Sequence, residues 1–273
     1  MFGEQRGSST SSLEMSNTPL EMIKAGLRAL VRSQVALSGA FDGLLPKKFV
    51  LDGYLDFQGG FAPRFLAPGM LIYDVGGGKN PFINPQRKRE LGLRVIGLDI
   101  DPLELAAAPQ GSYDVTICED IARYRGVGDG DVVVCAALLE HVRDTEAALA
   151  ALHSILKPGG IALLFVPSRH AVYARLNLLI PHKLKQKILY AVFPETWRCQ
   201  GFRAYYNRCT PYDLGVIART LGFQAVDFKP YFFSSYFSFF FPFYALWRIW
   251  MLIFYCFSRD QAAETFSIAL KKT

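Results

Sequence analysis

The run with the most chemical content is Leu71-Ile72-Tyr73-Asp74-Val75-Gly76-Gly77-Gly78-Lys79-Asn80, an apolar stretch feeding a glycine turn. Glycine adopts positive φ at no steric cost and lets a ligand approach the backbone closely. At the carboxyl end of a strand in an open α/β sheet, such a turn faces the binding crevice. The spacing is not that of a pyrophosphate cradle: GxGxxG would need glycine at position 81, which is Pro81. Asp74 would also repel a phosphate. A carboxylate two residues before the turn suits a ligand that carries a cationic amine.

Two more carboxylates follow at strand ends. Val95-Ile96-Gly97-Leu98-Asp99 closes on an acid 23 residues after Gly76, where it can accept both hydroxyls of a ribose. Ile100 then offers an apolar face to an adenine. In Cys118-Glu119-Asp120-Ile121, a carboxylate can accept a hydrogen bond from an exocyclic amine. Asp131 to Ala136 reads as a buried strand leading to Leu139-Glu140-His141-Val142. Leu156-Lys157-Pro158-Gly159-Gly160 closes a helix before the next strand.

The elements that must position these residues alternate. Strands are predicted at 71–75, 94–99, 114–118, 131–136, 161–166, 224–229 and 265–270, with helices at 102–108, 144–156 and 211–221. Short apolar strands alternating with amphipathic helices indicate βαβ units and a parallel sheet covered on both faces. Residues 1–17 read as a disordered tail, polar and without an apolar leader core. Thr18-Pro19-Leu20-Glu21 has the form of a capping box. Leu20, Ile23, Leu27, Leu30 and Val31 then mark an amphipathic helix to about Ser38, and 46–69 reads as loop. The expected organisation is a helix and cap segment at 18–69 and a main domain at 70–273, interrupted by insertions at 168–210 and 230–262.

Together, Asp74–Gly78, Gly97-Leu98-Asp99, Glu119-Asp120, Leu139–Val142 and Leu156–Gly160 resemble the ordered signature of class I S-adenosylmethionine-dependent methyltransferases. The branch most similar contains the ubiquinone and menaquinone biosynthesis enzymes. The resemblance covers about Leu71 to Pro167. It implies an α/β, Rossmann-like, seven-stranded, mostly parallel sheet with helices on both faces and an antiparallel edge hairpin. It also implies S-adenosylmethionine as cofactor and a set of roles. Asp74, Gly76 and Gly78 would line the methionine end. Asp99 would hold the ribose, Asp120 the adenine amine, and Ile100 and Ile121 the ring. Cys135 and Ala136 would lie under the sulfonium. The family has a further glycine where this chain has Asn80, a departure that would reshape the methionine end.

Methyl transfer from a sulfonium is an in-line displacement, so the protein mainly aligns the acceptor and excludes water. Some acceptors need a base. His170, after the fifth strand, is the best-placed candidate and His141 the second; a structural role is the alternative for each. Tyr173, Tyr205 and Tyr206 are candidate acceptor contacts. Related enzymes bind a divalent metal through Glu-x-x-Glu-His, but the first acid would fall on Ala137, so no metal is expected.

Composition narrows the class. With 51% hydrophobic and 20% charged residues, the chain is not a disordered one. A net charge of +6 is too diffuse to indicate a nucleic-acid partner and is compatible with an anionic surface. Five cysteines without metal-like spacing read as buried thiols of a cytoplasmic protein. From Tyr231 to Phe257, 15 of 27 residues are aromatic, and Arg248 is the one charge between Lys229 and Arg259. The segment is apolar enough to span a bilayer, yet pairing of 224–229 with 265–270 would bring the chain back to the side it left. An in-plane or shallowly re-entrant element at the bilayer interface is therefore expected, with Arg248 snorkelling. Lys183, Lys185 and Lys187 would lie at headgroups along 181–192. An aromatic lid or a homodimer contact is the competing explanation. The functional expectation is methyl transfer to a lipid, quinone, polyprenyl compound or lipid-linked glycan by a protein peripheral to a membrane. The alternatives are a soluble metabolite or sugar acceptor, or a non-catalytic cofactor-binding partner protein.

Overall fold

The computed structural model describes residues 19–180 and 202–273. The expected tail, the Thr18 cap and the 181–192 segment lie outside the described residues. The strands are β1 Leu71–Val75, β2 Arg94–Asp99, β3 Val115–Cys118, β4 Gly130–Ala136, β5 Leu156–Pro167, β6 Phe223–Tyr231 and β7 Thr265–Lys272. The helices are α1 Pro19–Asp42, α2 Gly53–Asp56, α3 Pro85–Glu90, α4 Pro102–Ala106, α5 Thr145–Ile155, α6 Val172–Leu179, α7 Pro211–Thr220 and α8 Phe241–Ser258.

One sheet runs in the order β3-β2-β1-β4-β5-β7-β6. The first five strands pair in parallel, and β7 is antiparallel to both β5 and β6. This is the Rossmann-like, mostly parallel sheet with an antiparallel edge. Successive residues of β1 and β4 are buried on both faces, so these strands are continuous apolar runs rather than alternating ones. The chain builds outward from β1 through β2 to β3, then returns to lay β4 on the other side of β1. That reversal makes the crevice beyond β1 and β4 the topological switch point, where open α/β sheets bind ligands.

Helix α5 covers one face. Ala148, Leu149, Ala151, Leu152 and Ile155 are buried at helical spacing, and the Asp144 carboxylate caps the first turn by accepting from the Ala147 N–H at 2.9 Å. The other face is closed by residues 53–65. The loop expected there is instead a chain of short turns: α2, a π turn at Phe57–Phe61 and a 3-10 turn at Ala62–Phe65. Phe57, Phe61 and Ala62 pack into the core against Ile72, Val95 and Phe165. Gly59, Gly60 and Pro63 interrupt the sequence too often for a helical period to register.

Helix α8 lies in the excursion between β6 and β7. Tyr244, Trp247, Arg248 and Met251 form its buried side. Arg248 does not snorkel: it is fully buried. Its Nη1 donates to Phe232 O at 2.6 Å and its Nη2 to Phe49 O at 2.7 Å, while Nε sits 3.0 Å from Asp42 Oδ1. Two carbonyl hydrogen bonds and the opposite charge of Asp42 offset the burial of the guanidinium, although Arg248 Nε and Asp42 Oδ1 make no hydrogen bond of their own. The excursion starts and ends at one point, because Tyr231 pairs with Thr265 and the Glu264 N–H donates to Tyr231 O at 2.8 Å. A single membrane crossing by this segment is excluded by that pairing. By length and composition, Phe241–Ala262 is nevertheless the one helical stretch among the described residues apolar enough to cross a membrane.

Candidate functional site

A cavity of about 440 Å³ opens at the switch point. Gly76, Asp99, Ile100, Asp120, Ile121 and His141 line it, together with Glu119, Leu138, Arg143, Phe202 and Tyr205. Its size falls within the range of small-molecule sites.

The glycine turn is shaped from below. Gly76 and Gly78 have φ of 76° and 47°, in the left-handed region. The Asp74 carboxylate lies beneath the turn: a Cβ on Gly77 would sit 2.5 Å from it. Asp74 Oδ2 accepts from the Phe82 N–H at 2.7 Å, and the Tyr113 hydroxyl donates to Gly78 O at 3.0 Å. Burial, and secondarily the charge of Asp99, push the Asp74 carboxyl up to about 7. Asp74 is thus a support of the turn, and its side chain does not line the cavity.

The two strand-end acids are fixed by the backbone. Asp99 Oδ1 accepts from the Asp101 N–H at 3.0 Å, and Asp120 Oδ1 accepts from the Ala122 N–H at 2.9 Å. One oxygen of each is thus held by the backbone. Burial, with Glu104 and Asp101 nearby, raises the Asp99 carboxyl above its ordinary value. Ile100 is 56% exposed whereas Ile121 is buried.

Cys135 and Ala136 do not line the cavity; Cys135 is fully buried in the core beneath α5, and Ala136 packs against the core of the opposite face. The next two residues line it instead. Ala137 has φ of 52° and donates its N–H to Phe165 O, turning the chain so that Leu138 lies over Gly76. A Cβ on Gly76 would meet the Leu138 side chain at 2.8 Å.

His141 is in the cavity wall. Its Nδ1 is 3.2 Å from Arg203 O and its ring contacts Phe202. Burial lowers its pKa, so the ring is neutral near neutrality with Nδ1–H as donor and Nε2 as acceptor. Nε2 is 3.8 Å from Glu140 Oε1. Glu140 is itself buried, its carboxyl pushed up to about 8. His170 lies elsewhere: Nδ1 is 2.8 Å from Gln261 O and the ring packs edge-on to Phe254.

Sequence reasoning did not find Phe202 or Arg143. Their segments meet because the Tyr205 and Tyr206 N–H groups both donate to Glu140 O, and Arg143 Nε donates to the Tyr205 hydroxyl at 3.0 Å. Nothing in the local spacing of 202–206 signals a partner 62 residues away. Glu264 was also missed. It is buried at the start of β7, accepts from Trp247 Nε1 at 3.2 Å, and is pushed up to about 7 by burial.

The cavity favours a nucleoside with a cationic tail. Asp99, Glu119, Asp120 and Asp144 line it against the single guanidinium of Arg143, the wrong balance for a pyrophosphate. The close-packed glycine turn and the apolar faces of Ile100 and Ile121 fit the remaining parts of such a ligand. Among the described residues, no group of three or more His, Cys, Asp or Glu side chains is disposed to hold a metal ion.

Comparison with known proteins agrees with this class. Residues 56–227, more than half of the chain, match the methyltransferase domain family. The chain belongs to the class I S-adenosylmethionine-dependent methyltransferases. It is 34% identical over 116 residues to a ubiquinone biosynthesis O-methyltransferase of Xanthomonas campestris pv. campestris, covering 40% of this chain and 47% of the relative. It is 27% identical over 175 residues to the enzyme of that name from Ruegeria pomeroyi, covering 61% and 64%. The matches thus span about half to two thirds of the length of these relatives. In fold, it is similar to an S-adenosylmethionine-dependent methyltransferase from Mesorhizobium loti, with TM-score 0.51, 14% identity, and 79% and 100% of the two chains covered. It is equally similar to the cyclase SpnF, with TM-score 0.50, 16% identity, and 91% and 94% covered. One fold thus carries more than one reaction, and the reaction must be argued from the site.

Proposed function

We propose that this protein transfers the methyl group of S-adenosylmethionine to an oxygen of a hydrophobic, quinone-related acceptor. The observation that carries the reading is the switch-point cavity, with its glycine turn and the two backbone-fixed acids Asp99 and Asp120. The named activity of the Xanthomonas and Ruegeria relatives supports the acceptor class.

When bound, the cofactor supplies an electrophilic methyl group on sulfur. Asp99 accepts the ribose hydroxyls, Asp120 accepts from the adenine amine, and Ile100 and Ile121 enclose the ring. Gly76 and Gly78 give the methionine end a close backbone approach, and Asp74 acts one step back by holding their turn. Cys135 and Ala136 set the end of β4, from which Leu138 closes the cavity. Neutral His141 takes the acceptor proton at Nε2. Residues 18–69 cap a catalytic unit of 70–273, and the segments 168–210 and 230–262 serve the acceptor. The aromatic stretch supports a peripheral position on the cytoplasmic face of a membrane.

Calorimetric titration with S-adenosylmethionine tests the site. Wild-type protein should bind, and Asp99→Ala should weaken binding by about 1–3 kcal/mol, the range for a hydrogen bond to a charged group. Unchanged affinity in that variant would overturn the assignment.

A further inference from the structure

Helix α1 is built as though half of it belonged to another phase. Its carboxyl-terminal part packs on α8: the Phe241 N–H donates to Gln34 Oε1 at 3.1 Å, the Ser38 hydroxyl donates to Ser238 O at 3.0 Å, and Phe41 stacks edge-on with Phe241. Gln34, Ser38 and Phe41 mark one side of the helix. Ile23, Leu27 and Leu30 continue that same side at spacings of three and four residues. Among the described residues nothing covers them: they are 68%, 61% and 57% exposed. Arg28 and Arg32, also exposed, stand four residues apart beside the apolar stripe. No acidic residue occurs between Glu21 and Asp42.

Helix α8 continues the apolar surface. Exposed Phe239 and Phe240 precede its junction with α1, and Leu246, Trp250, Ile253 and Phe257 form an exposed stripe along it. Arg248, its one charge, is turned inward. The Arg248–Asp42 ion pair and the bond from the Tyr244 hydroxyl to Asp42 Oδ2 tie the inner side of α8 to the end of α1. The outer side carries no charge to desolvate.

We infer that α1 and α8 form a two-helix docking element that lies in the plane of an anionic lipid bilayer, with Ile23, Leu27, Leu30, Trp250 and Ile253 below the headgroups and Arg32 at the lipid phosphates. The basic row decides the occupant. A second copy of the chain laid on this face would bring like charges together, whereas anionic headgroups neutralise them. An apolar stripe flanked by arginines is also the pattern of a helix that sits in the interface plane. The inference deepens the reading of a membrane-resident acceptor and rests on it for its purpose. Its test needs no methyl acceptor, so the two can fail separately.

Co-sedimentation with phosphatidylcholine vesicles, with and without phosphatidylglycerol, reads the docking directly. The protein should bind the anionic vesicles, with binding falling as salt is raised. Arg32→Gln should weaken it about fivefold, the effect of one cationic side chain near an anionic surface. Leu27→Glu with Leu30→Glu should abolish it, while thermal unfolding and S-adenosylmethionine binding stay as in wild type, because both side chains are exposed among the described residues. Failure of the wild type to sediment with either vesicle would overturn the inference. So would unchanged binding in the double variant. Dimeric wild-type protein that ignores vesicles and becomes monomeric on the double substitution would assign the face to a second copy instead.

Discussion

Gly78 and Asp99 are in near contact: a Cβ added to the glycine would lie 3.2 Å from Asp99 Oδ2. The glycine turn and the strand-end acid to which the proposal assigns the ribose are thus set against each other. Gly78→Ala should therefore act twice. The residue has φ of 47°, and a side chain there costs about 1–2 kcal/mol of backbone strain. The added methyl group also crowds the carboxylate. Lower unfolding stability together with weaker S-adenosylmethionine binding is expected, measured by urea denaturation and calorimetry.

Arg248 gives a larger effect by a different route. Arg248→Met removes three contacts at once and leaves Asp42 and two carbonyls without a cationic partner. Breaking a buried pair from one side costs about 3–5 kcal/mol. Urea denaturation of this variant should show a loss of that order. A loss below about 1 kcal/mol, the range of surface pairs, would mean that the pair is solvated.

Stability should fall as the solution becomes alkaline. Asp74 and Glu264 are raised to about 7 and Glu140 to about 8, in each case first by burial. A carboxyl whose folded pKa lies above its unfolded one binds its proton more tightly in the native state. Its stabilising contribution is complete below the ordinary carboxylate range and is lost as pH rises through the folded value. Thermal unfolding followed across neutral pH should show this decline. Glu264→Gln, which keeps the shape without the titration, should flatten it.

The two histidines should separate in kinetics. His141→Ala should lower kcat by about a hundredfold or more, the scale of a lost general base, with little change in cofactor affinity. His170→Ala should leave kcat nearly unchanged, because that ring is spent on Gln261 O and Phe254. A reversal of the two results would move the base to the other side of β5.

The sheet was legible because its signals are local. Strand β1 and its glycine turn, and β2 ending on Asp99, are short apolar runs that stop at a residue with one evident use. Helix α5 announces itself by its period. What escaped depends on distant partners. Arg248 looks in sequence like the single polar point of a lipid-facing helix, and only the carbonyls of Phe49 and Phe232 turn it inward. Cys135 and Ala136 sit where the motif order places the cavity wall, yet the left-handed Ala137 hands that position to Leu138. The turns of 53–65 bury Phe57 and Phe61 without a run long enough to show a period.

The central claim is methyl transfer to a hydrophobic acceptor, and one extraction tests it. Purified protein is incubated with methyl-labelled S-adenosylmethionine and a lysate of the source organism, then partitioned between organic and aqueous phases. Label in the organic phase, lost with Asp99→Ala, is the predicted result. Label confined to the aqueous phase, or no transfer by protein that binds the cofactor, would contradict the account.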